Sequence, residues 1–235
     1  MKAETSARRR WRFSIALGAA LSPSSRAANQ YHKWYYSAGV WQRTTWMGVP
    51  VMKSVSDMWS YQEILHSLRP SLLLEFGTFY GGSAMFFASI LRQLGAPFRV
   101  LSVDVDHSHV YDAVKQDSAI ELLTASSSGE MAEQRIRRLK TEYPGPVFAI
   151  LDSDHSKAHV MSELMALRPI LSPGDYVIVE DSNINGHPVL PFWGPGPYEA
   201  VTEYIKTFPH DYTLDTAREN KFGFTFAPHG FLIRR

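Results

Sequence analysis

Leu72-Leu-Leu-Glu-Phe-Gly-Thr-Phe-Tyr-Gly-Gly-Ser83 decides the fold. Leu72 to Phe76 reads as a buried strand, the glycines as a tight turn, and Ala84 to Leu94 as the helix that follows. A strand that passes through a glycine turn into a helix N-terminus lets backbone N–H groups approach a nucleotide-like ligand closely. Two further apolar strands end in chemistry. Phe148-Ala-Ile-Leu-Asp-Ser-Asp-His155 delivers two carboxylates and an imidazole, and Tyr176-Val-Ile-Val-Glu-Asp181 delivers two more carboxylates.

Outward from these segments the pattern alternates. Strands are expected at Leu72–Phe76, Arg99–Asp104, Ile120–Thr124, Val147–Asp152 and Tyr176–Glu180. Helices are expected at Ser56–Leu68, Gly82–Gly95, Ser128–Tyr143, Ala158–Leu167 and Tyr198–Thr207. Tyr212–Asp215 and Phe222–Ala227, with Gly230–Ile233, suggest a closing antiparallel pair. Repeated strand–helix units with Val-, Ile- and Leu-rich strands predict an α/β fold: a mostly parallel sheet with helices on both faces. Gln30–Lys53 is rich in aromatic residues and reads as helix and loop.

The chain has 235 residues, 45% of them hydrophobic, enough for one filled α/β domain over 30–235. Its 24 Lys and Arg balance 23 Asp and Glu, so nothing marks it as a general polyanion binder and no nucleic-acid partner is expected. Cysteine is absent, which excludes disulfides. Residues 1–29 form a basic arm: Arg8-Arg-Arg10 precedes a short run, Trp11–Leu21, too short to span a bilayer and interrupted by Arg12 and Ser14. Such an arm is either a frayed extension or a peripheral contact with an anionic membrane surface.

Glu75, Gly77, Thr78, Gly81, Gly82 and Ser83 should lie beyond the sheet edge where ligands bind, and Asp104 ends the next strand, about 20 residues on, in phase to accept ribose hydroxyls. The turn matches neither G-x-G-x-x-G nor G-x-x-x-x-G-K-[ST]. Its Glu-x-Gly-x-x-x-Gly pattern looks like the S-adenosylmethionine turn of class I methyltransferases. That cofactor is intracellular, so the chain is placed in the cytoplasm. Ser126 or Ser127, after the third strand, either reaches the adenine or caps a helix.

Asp152, Asp154, Glu180 and Asp181 would repel one another unless a cation neutralised them. An all-oxygen set suits Mg²⁺, Mn²⁺ or Ca²⁺ better than zinc. The competing reading of Asp152-Ser-Asp-His155 is a helix cap. His155 stands beside the acids, with a pKa range suited to taking a proton from a hydroxyl. Asn183 and Asn185 either help the acids or shape a turn, and the loop Gly186–Tyr198, with His187, Phe192 and Trp193, is a wall or lid over an acceptor.

Longer runs carry a family resemblance: Tyr31–Tyr36, Lys53–Trp59, Glu75–Ala84, Ile150–Ser156, Val179–Pro191 and Gly194–Ala200. On these the chain resembles the cephalosporin hydroxylase/rhamnosyl O-methyltransferase family, and within it the mycobacterial rhamnosyl O-methyltransferases. The resemblance implies a Rossmann-like class I fold, with S-adenosylmethionine bound by the Glu75–Ser83 turn and Asp104. It implies Mg²⁺ (or Mn²⁺) on Glu180 and Asp181, with Asp152 and Asp154 competing for the third position where relatives read Asp-Asp-x-His. The hydroxylase label does not transfer, because no two-His-one-carboxylate iron set is visible.

The expected activity is methyl transfer to a sugar hydroxyl, a rhamnosyl residue of a glycolipid, with His155 as base beside Asp152. The alternatives are the same chemistry on a polyketide, macrolide sugar or peptide, and a non-catalytic relative that still binds S-adenosylmethionine. The expected partners are a small-molecule or glycolipid acceptor and further copies of the chain.

Overall fold

The structure, a computed structural model, describes residues 24–235, so most of the basic arm expected over 1–29 lies outside the described residues. Helix α1 (Ser24–Ser37) runs across the boundary expected at residue 29. A hairpin of two short strands follows, β1 (Thr45–Trp46) and β2 (Val49–Pro50), then α2 (Val55–Leu68). The α/β core is β3 (Leu72–Phe76), α3 (Gly82–Leu94), β4 (Arg99–Asp104), α4 (Asp112–Lys115), β5 (Ile120–Thr124), α5 (Glu130–Glu142), β6 (Val147–Leu151), α6 (Lys157–Leu167) and β7 (Tyr176–Val179). Helix α7 (Pro197–Thr207), β8 (Tyr212–Leu214), α8 (Thr216–Glu219) and β9 (Phe231–Arg234) close the chain.

Seven strands lie in the order β5-β4-β3-β6-β7-β9-β8, with β3 to β7 parallel and β9 antiparallel to both of its neighbours. This confirms the mostly parallel sheet and its antiparallel C-terminal pair. The strand order reverses between β3 and β6, so their C-terminal ends flank the crevice where an open α/β sheet binds ligands.

The strands are buried on both faces because their side chains alternate between two cores. Leu72, Leu74 and Phe76 join Leu139, Leu164, Leu167 and Tyr204 from α5, α6 and α7. Leu73 faces the opposite way, with Tyr61, Leu65, Phe87 and Leu91 from α2 and α3.

Phe222–Ala227 is not the strand its composition predicted; it is irregular. Its backbone is held by side-chain and loop partners instead of a ladder: Phe226 N–H donates to Asp57 Oδ2 (2.7 Å) and Asn183 N–H donates to the Phe226 carbonyl (3.2 Å). The Phe226 ring sits among His32, Tyr35, Tyr36 and Trp41. The β1–β2 hairpin was not anticipated. Its turn residues Met47 and Gly48 both have positive φ (50° and 88°), the geometry of a tight two-residue hairpin.

The glycine turn is crowded by protein. A Cβ on Gly82 would come 2.1 Å from the Pro50 carbonyl oxygen, so the turn seats the hairpin directly on the start of α3. We expect Gly82→Ala to force the two apart and lower the unfolding free energy by about 2 kcal/mol. Chemical denaturation measures this, and an unchanged midpoint would mean the hairpin does not rest there.

Candidate active site

A cavity of about 570 Å³ opens at the C-terminal ends of β3 to β7, within the size range of small-molecule sites. Gly77, Thr78, Gly82 and Ser83 from the β3–α3 turn line it, together with Asp104, Ser126 and Ser127, Asp152, Asp154, His155 and Asp181. Trp41 and the Pro50–Met52 segment form an opposing wall.

Asp104 organises the turn. Its Oδ2 accepts from the N–H groups of Thr78 (2.7 Å) and Phe79 (3.2 Å) while the carboxylate borders the cavity. His107 ties the same turn to β5, its two ring nitrogens bonding the hydroxyls of Thr78 (3.1 Å) and Thr124 (2.9 Å). Gly77 has φ +93°, and a Cβ there would lie 2.1 Å from the Asp152 carbonyl oxygen. The turn is therefore pressed against the strand that delivers the catalytic candidates. Gly81 is not in the wall; it opens α3 in a left-handed conformation (φ +82°) against Val114.

Glu75 does not reach the cavity either. It is fully buried beneath the turn, accepting from Ser102 Oγ (2.6 Å), and its other oxygen has no close hydrogen-bond donor among the described residues. Burial pushes its pKa up to about 7, against the opposing pull of Lys53 and the hydroxyls of Ser102 and Ser83.

Among the four expected metal carboxylates, the structure gathers two. Asp152, His155 and Asp181 each offer a ligand atom, all within 4.8 Å of one another, and His155 Nε2 lies 3.3 Å from Asp181 Oδ2. Asp181 is in the left-handed region (φ +51°), a strained conformation that turns it from β7 onto the cavity wall. Burial raises its pKa, an effect that His155 opposes. Asp154 is not in this set; its Oδ1 accepts from Ser156 N–H (2.7 Å), in the turn before α6, whose N-cap is Ser156 itself.

Glu180 is also outside the set. It is buried, with Tyr61 donating its hydroxyl hydrogen to Oε1 (2.7 Å) and Lys53 Nζ 3.5 Å away. Burial pushes its pKa up to about 8, with Lys53 acting in the other direction and Asp152 adding to the rise.

Lys53 lies in one of the family-like runs, Lys53–Trp59, but no local pattern assigns it a role. Its side chain is 2% exposed and pairs with Asp152 as well as Glu180. Burial works against its charge, yet the carboxylates of Asp152, Glu180 and Glu75 hold its pKa above the usual lysine value. Only its position, a lysine between apolar Met52 and the segment that opens α2, hints at this in the sequence. A second unforeseen anchor is Glu163, fully buried on α6, which accepts from Ser127 Oγ (2.5 Å) and Ser153 Oγ (2.6 Å) and lies 3.2 Å from His159. It joins the Ser126–Ser127 wall to the loop that carries Asp152 and His155.

The residues fit the groups the sequence implied. Oxygen donors from Asp152 and Asp181 beside one imidazole suit a hard divalent ion. The turn, Asp104 and the Ser126–Ser127 wall form one continuous cradle of cofactor size.

Glu75 also gives a pH test. Its folded pKa is raised, so between its usual pKa of 4.5 and about 7 the folded state keeps a proton the unfolded chain has lost. Stability conferred by that proton is present at low pH and falls as pH rises through this window. We expect Glu75→Gln to flatten the decline, with the difference between the two proteins growing by on the order of 2 kcal/mol from about pH 5 to about pH 8. Parallel pH dependence in urea unfolding would contradict a buried, protonated Glu75.

The family model described as rhamnosyl O-methyltransferase/CmcI matches residues 38–235. The rhamnosyl O-methyltransferases of Mycobacterium bovis and Mycobacterium tuberculosis are 58% identical over 212 residues, 90% of this chain and 86% of theirs. That of Mycobacterium leprae is 56% identical over 223 residues, 95% of this chain and 97% of its own. Among solved structures, apo CmcI aligns with a TM-score of 0.66 at 23% identity, covering 82% of this chain and 76% of that one. A CmcI structure described as holding Mg and S-adenosylmethionine aligns at 0.65, with 23% identity over 83% of this chain and 77% of that one. At that identity the likeness speaks for the fold. With the family match over most of its length and the mycobacterial relatives beside it, the chain belongs to the rhamnosyl O-methyltransferase/CmcI family.

Proposed function

We propose that this chain transfers the methyl group of S-adenosylmethionine to a sugar hydroxyl, the hydroxyl of a rhamnosyl residue carried on a glycolipid. The observation that carries this reading is the shared wall: Asp152, His155 and Asp181 border the same cavity as the glycine turn and Asp104. A hydroxyl brought to those side chains faces the cofactor's side of the cavity. The 56–58% identical relatives bear the rhamnosyl O-methyltransferase name, which supports the choice of acceptor.

The chain's own residues supply position and proton transfer. Thr78 and Ser83 in the turn, Asp104, Ser126 and Ser127 would hold the cofactor, and Asp152 and Asp181 would hold a magnesium ion, which when bound would supply Lewis-acid assistance to loss of the hydroxyl proton. His155 takes the hydroxyl proton, and the charge it gains is met by Asp181, 3.3 Å away. Glu163 and Lys53 keep the two halves of the site in register. Fixing oxygen and methyl carbon near contact distance supplies much of the acceleration. The basic arm, most of it outside the described residues, would bring the enzyme to a lipid-linked acceptor at an anionic surface. No described helix is long and apolar enough to cross a membrane.

Chelation is the first test. EDTA should abolish turnover and added Mg²⁺ restore it, and full activity in chelator would remove the ion from the reaction. His155→Ala should lower turnover by about 10²- to 10⁴-fold while S-adenosylhomocysteine still binds in calorimetry. A near-normal rate would assign the proton to another group.

A further inference from the structure

A second cleft, of about 630 Å³, adjoins the cofactor cavity. One side is Ser153–Ser156 and the other is Trp193–Pro195, and the two cavities share Ser153, Asp154 and His155 as a common wall. The proposed base therefore faces both spaces.

The loop that forms the outer side is firmly based and apolar at its tip. At its base Asn185 Nδ2 donates to Glu199 Oε1 (3.0 Å), Gly194 N–H to Asn185 Oδ1 (3.1 Å) and Gly196 N–H to Glu199 Oε2 (2.7 Å). Lys157 N–H reaches the Pro195 carbonyl (3.0 Å), which fixes the loop to the start of α6. At the tip, Leu190 and Phe192 have positive φ (45° and 76°), and Phe192 is 99% and Trp193 52% exposed. Strained backbone beside exposed aromatic rings gains nothing in packing, which leaves those rings free to meet a ligand.

A pyranose has a face of C–H groups and a rim of hydroxyls. The matching site is an aromatic plane with a few hydrogen-bonding groups at its edge, which is what Trp193 and Asp154 provide across this cleft. We infer that this cleft is the acceptor subsite: Trp193 stacks on the apolar face of the sugar to be methylated, Asp154 accepts from its neighbouring hydroxyls, and Phe192 covers the next part of the acceptor. This rests on the sugar O-methylation reading and gives Asp154 a task other than metal ligation.

The test uses the full chain, with phenyl α-L-rhamnoside as probe. Its binding to S-adenosylhomocysteine-loaded protein is read by calorimetry and its methylation by steady-state kinetics. Trp193→Ala should weaken rhamnoside binding and raise its KM roughly tenfold, with kcat much less affected. Trp193→Phe should retain most of the affinity, and Asp154→Asn should raise KM in the same way as Trp193→Ala. S-adenosylhomocysteine affinity should be unchanged in all three. Undiminished rhamnoside binding by Trp193→Ala overturns the subsite, and so does a parallel loss of S-adenosylhomocysteine binding, which would mean Trp193 is structural. Wild-type protein that binds S-adenosylhomocysteine but neither binds nor methylates the rhamnoside overturns the sugar reading itself, and the subsite with it.

Discussion

One buried cation makes the rest of this site possible. Lys53 lies between Asp152 at the end of β6 and Glu180 at the end of β7, with Glu75 close enough to add its charge. Carboxylates this close repel one another, and burial drives Glu75 and Glu180 toward holding protons. A charged lysine among them lets adjacent parallel strands each present an acid at the same edge. Because Lys53 precedes α2, it also anchors the aromatic N-terminal region to the sheet. Tyr61, two turns along α2, completes the arrangement from the same helix by donating to Glu180.

The glycine turn serves the same assembly. Its glycines are needed as much for protein as for ligand: Gly77 admits the Asp152 backbone and Gly82 admits the hairpin at Pro50. Cofactor wall and acid-bearing loop are thus in direct van der Waals contact. Glu163 makes a second link, bonding Ser127 on one side and Ser153 on the other. The cofactor side of the cavity is therefore joined to the His155 loop at two places, through the Gly77–Asp152 contact and through Glu163.

What was legible in the sequence was what periodicity and strand ends encode. The five parallel strands, their helices and the edge at which chemistry gathers follow from apolar runs and glycine punctuation, since both faces of such a sheet must be covered. Gly77, Thr78, Ser83, Asp104, Ser126, Ser127, Asp152, Asp154, His155 and Asp181 do meet at one cavity. Local pattern does not encode partners brought from far along the chain. The partners that engage Glu75 and Glu180 (Ser102, Tyr61 and Lys53) come from other parts of the chain, and no local pattern announces them. Phe222–Ala227 has strand composition, but its rings fill a cage built by α1 and Trp41, and its amide answers to Asp57.

The central claim is that Lys53 is the countercharge on which the paired acids depend. Equilibrium unfolding of Lys53→Met against wild type, at neutral pH and without added metal, tests it most directly. Leaving Asp152 without its cation, and Glu180 without the attraction that opposes its protonation, should cost on the order of 3 kcal/mol. A variant as stable as wild type would mean the acids are accommodated without Lys53, and the account of how this site is held together would be wrong.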